Sequence, residues 1–321
     1  MPSDWEASGD MGEGFGDALR RELARRYGLV LGEPHVLDGG EEAAVWRIQS
    51  DRGMLVARLS PAWRTTAEVD WVHDLLAYAA QTFPATVAPV PALDGTTAFR
   101  WRRRPMAVFP FIDGTHLNRE DAMQRRAAAH FLAHLHGTLR TWTAHRPRPP
   151  SGPGAPTTWP RVPDPAGVED PALDAWYAEW TRTRAPLLPV APVHGDFYRR
   201  NLLCRDGHIV ALIDWDEARL DVQLGEVAWA VWEFGQVGGD RLDVGRAAAF
   251  LAAYEEVGGD LPTDADRAVI PLIRWHLREE IRRAHAAMAR GCAQSPADRE
   301  YTNGEVRAFG SLRDTQLPSM S

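Results

Sequence analysis

Residues 193–218 read V-H-G-D-F-Y-R-R-N-L-L-C-R-D-G-H-I-V-A-L-I-D-W-D-E-A, and this stretch decides the fold. His194-Gly195-Asp196 with Asn201 five residues on fits the catalytic-loop spacing H-x-D-x-x-x-x-N. Asp206-Gly207 lies between two apolar runs, 202–204 and 209–213, which signals a β-hairpin. A hairpin there folds Asp214 back beside Asp196 and Asn201. Three oxygen-bearing side chains then share one small volume.

Such a set suits phosphoryl transfer. One carboxylate orients an acceptor hydroxyl and takes its proton, while a second carboxylate and an amide hold Mg²⁺ against nucleotide phosphates. Mg²⁺ prefers hard oxygen ligands and keeps several waters, so one Asp and one Asn suffice beside the phosphate oxygens. Read alone, His194-Gly195-Asp196 is a turn and Asp214 a helix cap. Asn201 and the hairpin make the pattern specific.

The two motifs, H-G-D-F-Y-R-R-N-L-L and I-D-W-D-E-A, resemble those of the aminoglycoside phosphotransferase family, small-molecule relatives of the protein kinases. Weaker echoes run over residues 37–233. The resemblance implies Asp196 as catalytic base and Asn201 and Asp214 as magnesium ligands. It also implies an α+β, protein-kinase-like fold in two lobes. Residues 1–112 would carry an antiparallel sheet with one or two helices, and residues 113–321 a mostly helical catalytic and acceptor lobe. ATP would lie in the cleft between them, an expected place for a ligand.

Composition is compatible with this. The chain of 321 residues is 45% hydrophobic and 25% charged, an ordinary globular balance. A formal net charge of −8 argues against a nucleic-acid surface and permits a cationic substrate. Cys204 and Cys292 offer neither a disulfide framework nor zinc spacing. No apolar run reaches membrane-spanning length and residues 1–10 lack a signal-peptide pattern, so a cytoplasmic enzyme is expected.

In the first half, residues 18–27 carry a helical pattern with Gly28 as its stop. Strands are expected at 35–37, 43–49 and 54–59. The turn between the first two contains Gly39 and Gly40, whose backbone N–H groups could approach nucleotide phosphates, with Glu41 and Glu42 facing water. Arg58 ends the third strand where kinases carry a phosphate-binding lysine, and Glu68 on a helix over 65–81 could pair with it. A guanidinium differs in reach and geometry from an ammonium, so a surface role for both residues stays open. Strands at 97–101 and 106–112 flank the basic turn 102–105. The run Val108 to Gly114 resembles the family's interlobe hinge, with Phe109 behind the adenine, Pro110 offering its C=O and Ile112 its N–H.

In the second half, a helix is expected over 119–144 with Asn118 as N-cap; its His134 and His136 point to different faces, which argues against a two-histidine metal site. Residues 146–171 are too proline-rich for helix or central strand and read as a semi-rigid spacer or as part of a substrate-covering loop, disordered or variable in character. Helical patterns follow at 172–185, 224–236, 245–257 and 264–290. Acids on them, among them Glu226, Glu233, Glu279 and Glu280, are candidates for recognising a substrate amine. Trp229, Trp232 and Trp275 are either core or platforms for a ring.

The expectation is transfer of the ATP γ-phosphoryl to a hydroxyl of a small molecule, aided by Mg²⁺. Asp216 shares the face of Asp214 if the strand continues, as a ligand for a second ion or a cap for the following segment. Arg199 or Arg200 would neutralise charge on the moving phosphoryl group. A protein kinase is disfavoured, because D-F-G and A-P-E signatures are absent. A silent nucleotide-binding scaffold remains an alternative. The acceptor is open among antibiotics, sugars, homoserine and choline.

Overall fold

The computed structural model describes residues 15–37, 43–143, 147–152, 155–158, 162–165, 167–292 and 294–318. The turn with Gly39 and Gly40 lies outside them, as does the segment 1–14. The chain divides into two compact units, Met1–Asp113 with Arg148–Ala155, and Gly114–Pro147 with Pro156–Ser321. A piece of the proline-rich segment thus belongs to unit one.

Unit one is built on an antiparallel sheet ordered β1-β2-β3-β5-β4: β1 Leu31–Val36, β2 Ala44–Ser50, β3 Gly53–Leu59, β4 Ala98–Trp101 and β5 Arg104–Pro110. Two helices accompany it, α1 Asp17–Tyr27 and α2 Thr66–Ala79. Side chains alternate across a strand. Trp46, Ile48, Ala57 and Met106 therefore share one buried cluster with Leu19, Leu23 and Tyr27 of α1. Ala98, Ala107 and Phe109, on the opposite face, pack with Val69 of α2. The β4–β5 turn is only Arg102-Arg103, both with positive φ (44° and 71°), so Arg104 and Pro105 belong to the strand. β1 starts earlier than expected because a bulge between Leu31 and Pro34 absorbs the proline at a sheet edge.

Unit two carries α3 Ala122–Arg140, α4 Pro171–Thr183, α5 Gln223–Gly235, α6 Val244–Glu256, α7 Ala265–Ala289 and α8 Pro296–Ser311. Its strands are short: β6 Thr115–His116, β7 Val190–Val193, β8 Leu202–Arg205, β9 His208–Leu212, β10 Arg219–Val222, β11 Gln236–Val237 and β12 Arg241–Leu242. α3 packs on α6, α5 on α6 and α7, and α7 on α8. Phe234 and Phe250 stack at the α5–α6 contact, 5.4 Å apart and 4° from parallel.

Two expectations are corrected here. Asp121, not Asn118, caps α3, its carboxylate accepting from the Met123 N–H at 2.8 Å; Asn118 instead closes a turn by accepting from the Glu120 N–H. The proline-rich segment is not simply a loose loop, because its described residues are tied at several points. The Gly152 N–H donates to the Trp63 carbonyl, Asp164 pairs with Arg282, and Asp170 caps α4 while pairing with Arg274.

Candidate active site

An antiparallel strand pair and a hairpin bracket residues 194–201. β7 leads into His194 and pairs with β10, Arg219 opposite Val193. β8 leaves from Asn201 and returns as β9 through a turn whose Asp206 and Gly207 both have positive φ, 52° and 80°. Asp-Gly is the pair that such a turn favours. Beyond β9 the Ile213 N–H donates to the Asn201 carbonyl at 2.9 Å, which sets Asp214 next to Asn201.

The loop itself is fastened from below. Gly195 has φ +85°, and a side chain there would run into the Glu217 carbonyl, so only glycine serves. His194 is buried; its Nε2 donates to the Ile213 carbonyl at 3.0 Å, which leaves Nδ1 to accept from the Asp196 N–H at 3.2 Å. Burial pushes this imidazole below its usual pKa, in keeping with a neutral ring. Phe197 is fully buried and rests against Phe131 and Phe234.

Above this floor, the Asn201 amide donates to both the Asp196 carbonyl and Asp196 Oδ2, each at 2.9 Å. Both N–H groups are thereby spent, and the amide oxygen is left to face other partners. Burial, and then the charge of Asp214, push Asp196 up to about 7 against the lowering effect of the Asn201 hydrogen bond. Glu280 and Glu217 raise it further. A carboxylate poised near neutrality suits proton abstraction from a hydroxyl.

The donor set also fits a magnesium ion. Asn201 Oδ1 and the exposed Asp214 are hard oxygens, and two carboxylates at close quarters are relieved by a cation. Asp214 sits at φ +61°, outside any strand. Asp216 does not share its face by strand alternation: β9 ends at Leu212, and residues 215–218 form a turn closed by the Ala218 N–H on the Trp215 carbonyl. The expectation built on a continuing strand is withdrawn.

Beneath the loop lies a group that the sequence placed wrongly. Glu226, read as a candidate for a substrate amine, is 6% exposed. It accepts from the backbone N–H groups of His194 (3.2 Å) and Gly195 (2.5 Å) and pairs with His136 Nε2 at 2.8 Å. His136 Nδ1 in turn meets the Tyr254 hydroxyl at 2.7 Å. Burial alone would raise Glu226, but the hydrogen bond and charge of His136 outweigh it and the net shift is downward. Glu233 is likewise buried and committed, to Arg199 (2.8 Å), Arg119 (3.3 Å) and Gln236 (3.0 Å). Arg199 is therefore half of a structural ion pair; Arg200 is exposed. His134 is exposed, opposite in character to His136.

In unit one, Arg58 shares with Ala107 and Phe109 the sheet face that α2 covers. Glu68, however, is turned to other work. It closes a capping box with Thr65 and accepts from Ser151 (2.7 Å), Arg64 (3.3 Å) and Arg148 (3.4 Å). Arg58 is not among its partners in the described residues, so the anticipated pair is replaced by this set. At the end of β5 the Phe111 N–H donates to the Met54 carbonyl at 3.0 Å. Ladder alternation then turns the Pro110 C=O away from β3, on the edge where β4 has already ended at Ala98 opposite Ala107, and Ile112 follows two residues beyond the end of β5. Phe109 stands beside them, edge-on to His73 at 5.6 Å.

Residues 33–259 match the profile of the phosphotransferase enzyme family, APH. Among curated proteins, the homoserine kinase of Pseudomonas aeruginosa (strain UCBPP-PA14) is 31% identical over 186 residues, which are 52% of this chain and 55% of that one. The match thus spans about half the length of that relative. Among solved structures, a microcompartment-associated aminopropanol kinase superposes with a TM-score of 0.68 at 17% identity, covering 92% of this chain and 95% of that one. The amicoumacin kinase hAmiN, in complex with AMP-PNP, Ca²⁺ and Ami, gives 0.67 at 11% identity with 97% of each chain covered. These likenesses establish the α+β, protein-kinase-like fold. Among the described residues no helix is long and apolar enough to cross a membrane.

Proposed function

Since the chain belongs to the phosphotransferase enzyme family, we propose that it transfers the γ-phosphoryl group of ATP to a hydroxyl of a small amino alcohol. The observation that carries the reading is the Asp196–Asn201 contact beside Asp214, on a loop fixed by Glu226. Asp196 accepts the hydroxyl proton as the acceptor oxygen bonds to the γ-phosphorus, and the bond to the β-phosphate oxygen breaks to release ADP. Asn201 Oδ1 and Asp214 are the residues that would hold Mg²⁺, whose charge offsets that of the phosphates. The Pro110 C=O and Ile112 N–H supply an adenine-reading edge in unit one, and Arg58 is the candidate for the α- and β-phosphates. The likeness to homoserine kinases favours a metabolite acceptor over an antibiotic.

The test is coupled ADP release by the full chain with ATP and Mg²⁺, over homoserine, 3-aminopropan-1-ol, choline and aminocyclitol antibiotics. At least one acceptor should stimulate ADP release well above the acceptor-free rate. Asp196→Asn should lower kcat for that acceptor by about 10²- to 10⁴-fold while nucleotide affinity survives. Near-normal turnover in the variant would remove Asp196 from the role of base.

A further inference from the structure

α5 carries two buried acids, Glu226 and Glu233, whose spacing is close to two helical turns. Both side chains therefore leave the helix on one face, about 10 Å apart along its axis. Glu226 holds the start of the catalytic loop through the N–H groups of His194 and Gly195. Phe197, in the middle of the loop, rests on Phe234 of the same helix. Glu233 holds the end of the loop. Its Oε1 accepts from the Arg199 guanidinium at 2.8 Å and from the Arg199 backbone N–H at 3.4 Å.

The position of Glu233 is costly by itself. It lies in the last turn of α5, where the helix dipole disfavours a carboxylate, and its side chain is 7% exposed. Partners on the other side offset this: Oε2 accepts from Arg119 at 3.3 Å and from the Gln236 amide at 3.0 Å. With Oε2 fixed by residues outside the loop, Oε1 is a rigid post for a residue within it.

What the post holds has little support of its own. Arg199–Asn201 is a single 3₁₀ turn, and one such turn does not persist without outside contacts. The Arg199 carbonyl is shared by the Leu202 and Leu117 N–H groups. Arg199 is thus tied at its N–H, its carbonyl and its side chain, whereas neighbouring Arg200 is exposed. Asn201 closes the turn, and its amide spends both N–H groups on Asp196. Wherever the turn stands, Asn201 Oδ1 stands with it.

We propose that Glu233 is a positioning residue for the metal: acting through Arg199, it sets where Asn201 Oδ1 meets Mg²⁺. The inference rests on the phosphotransferase reading and adds a division of labour along α5. Glu226 secures the end of the loop nearer the base, and Glu233 the end that carries the metal ligand. Groups that orient a metal ligand without touching the metal change its affinity by about 10- to 100-fold when they are removed. Loss of Glu233 or of Arg199 should therefore weaken metal binding and spare nucleotide recognition.

The experiment is calorimetric titration of AMP-PNP into the full chain at stepped Mg²⁺ concentrations, with adenosine as the metal-independent probe. Arg199→Met and Glu233→Gln should each raise the Mg²⁺ concentration for half-maximal AMP-PNP affinity by about 10- to 100-fold and leave adenosine affinity unchanged. Arg199→Met leaves Glu233 paired with Arg119 and strands no buried charge, so it decides the matter even if Glu233→Gln fails to fold. Arg199→Lys keeps a cation for Oε1 and should restore most of the metal affinity. Arg119→Met takes a cation from the same carboxylate without altering the loop; it should lower Tm and leave the Mg²⁺ requirement where it was. With the best acceptor, Arg199→Met should approach wild-type kcat once Mg²⁺ saturates, as expected when only binding is lost.

The inference is overturned if neither Arg199→Met nor Glu233→Gln moves the Mg²⁺ requirement, if Arg119→Met moves it as far, or if adenosine affinity falls in step. Asp214→Ala separates this from the wider reading. A Mg²⁺ requirement disrupted in Asp214→Ala and untouched in Arg199→Met would sink the positioning role alone. The predicted Mg²⁺ shifts without ADP release for any acceptor would sink the catalytic reading alone.

Discussion

Glu226 and Glu305 are both 6% exposed, and their fates are opposite. Glu226 collects two backbone N–H groups and an imidazole, and its pKa falls. Glu305 has one buried oxygen with no hydrogen-bond partner among the described residues, and burial raises its pKa against the lowering effect of the Tyr301 hydroxyl. Equal burial therefore says little about role; the partners decide. Where the fold fills every acceptor, the acid is scaffold, and here it fixes the backbone of the catalytic loop. Where the fold buries an acid without such a set of donors, the carboxyl resists ionisation instead.

This contrast can be broken most severely at the scaffold. Glu226→Ala should destabilise the protein by about 3–5 kcal/mol in urea unfolding, since it strands two N–H groups and a histidine in a buried site. A loss under 1 kcal/mol would mean that the hub is dispensable. Tyr254→Phe probes the outer end of the same network and should cost only about 0.5–1.5 kcal/mol, the usual worth of one hydrogen bond. Should it match Glu226→Ala, the network would be anchored at Tyr254 instead.

Glu305→Gln should behave in the opposite way. A carboxyl whose pKa is raised on folding binds its proton more tightly in the native state, so stability falls as pH rises from about 4.5 towards about 8. The glutamine variant does not titrate. It should match the wild type in Tm below pH 4.5 and exceed it at pH 8. Equal Tm values across that range would show that Glu305 is satisfied after all. Smallest in stability terms is Arg58→Ala, which should leave Tm within a few degrees and weaken ATP more than adenosine, as loss of a phosphate contact requires. An unchanged ATP-to-adenosine affinity ratio would remove Arg58 from the nucleotide site.

How much of this was legible in the sequence follows the range of the forces involved. The D-G hairpin, the helices α3 to α7 of unit two and the Asp196-to-Asn201 spacing are local, and the chain spells each of them out over a short stretch. The β7–β10 pair is two four-residue strands joined only through the catalytic loop, too short for periodicity to reveal. α8 was missed although Ser295, Pro296 and Asp298 form a capping box with proline at the first turn, a signal that could have found it. The partners of Glu226, Glu233 and Glu68 come from 31 to 90 residues away in most cases, as with Gly195, His136 and Ser151. No spacing rule reports such contacts, and so the sequence alone leaves Glu226 and Glu233 as candidates for a substrate amine and Glu68 as a partner for Arg58.

The account turns on where the phosphoryl group goes. Phosphorus NMR of the full chain with ATP, Mg²⁺ and its best acceptor tests this directly. The account predicts loss of the γ-phosphate signal, matched one for one by ADP and by a new phosphomonoester resonance on the acceptor, all suppressed in Asp196→Asn. Inorganic phosphate as the only new product with every acceptor, or turnover indifferent to Asp196, would contradict it.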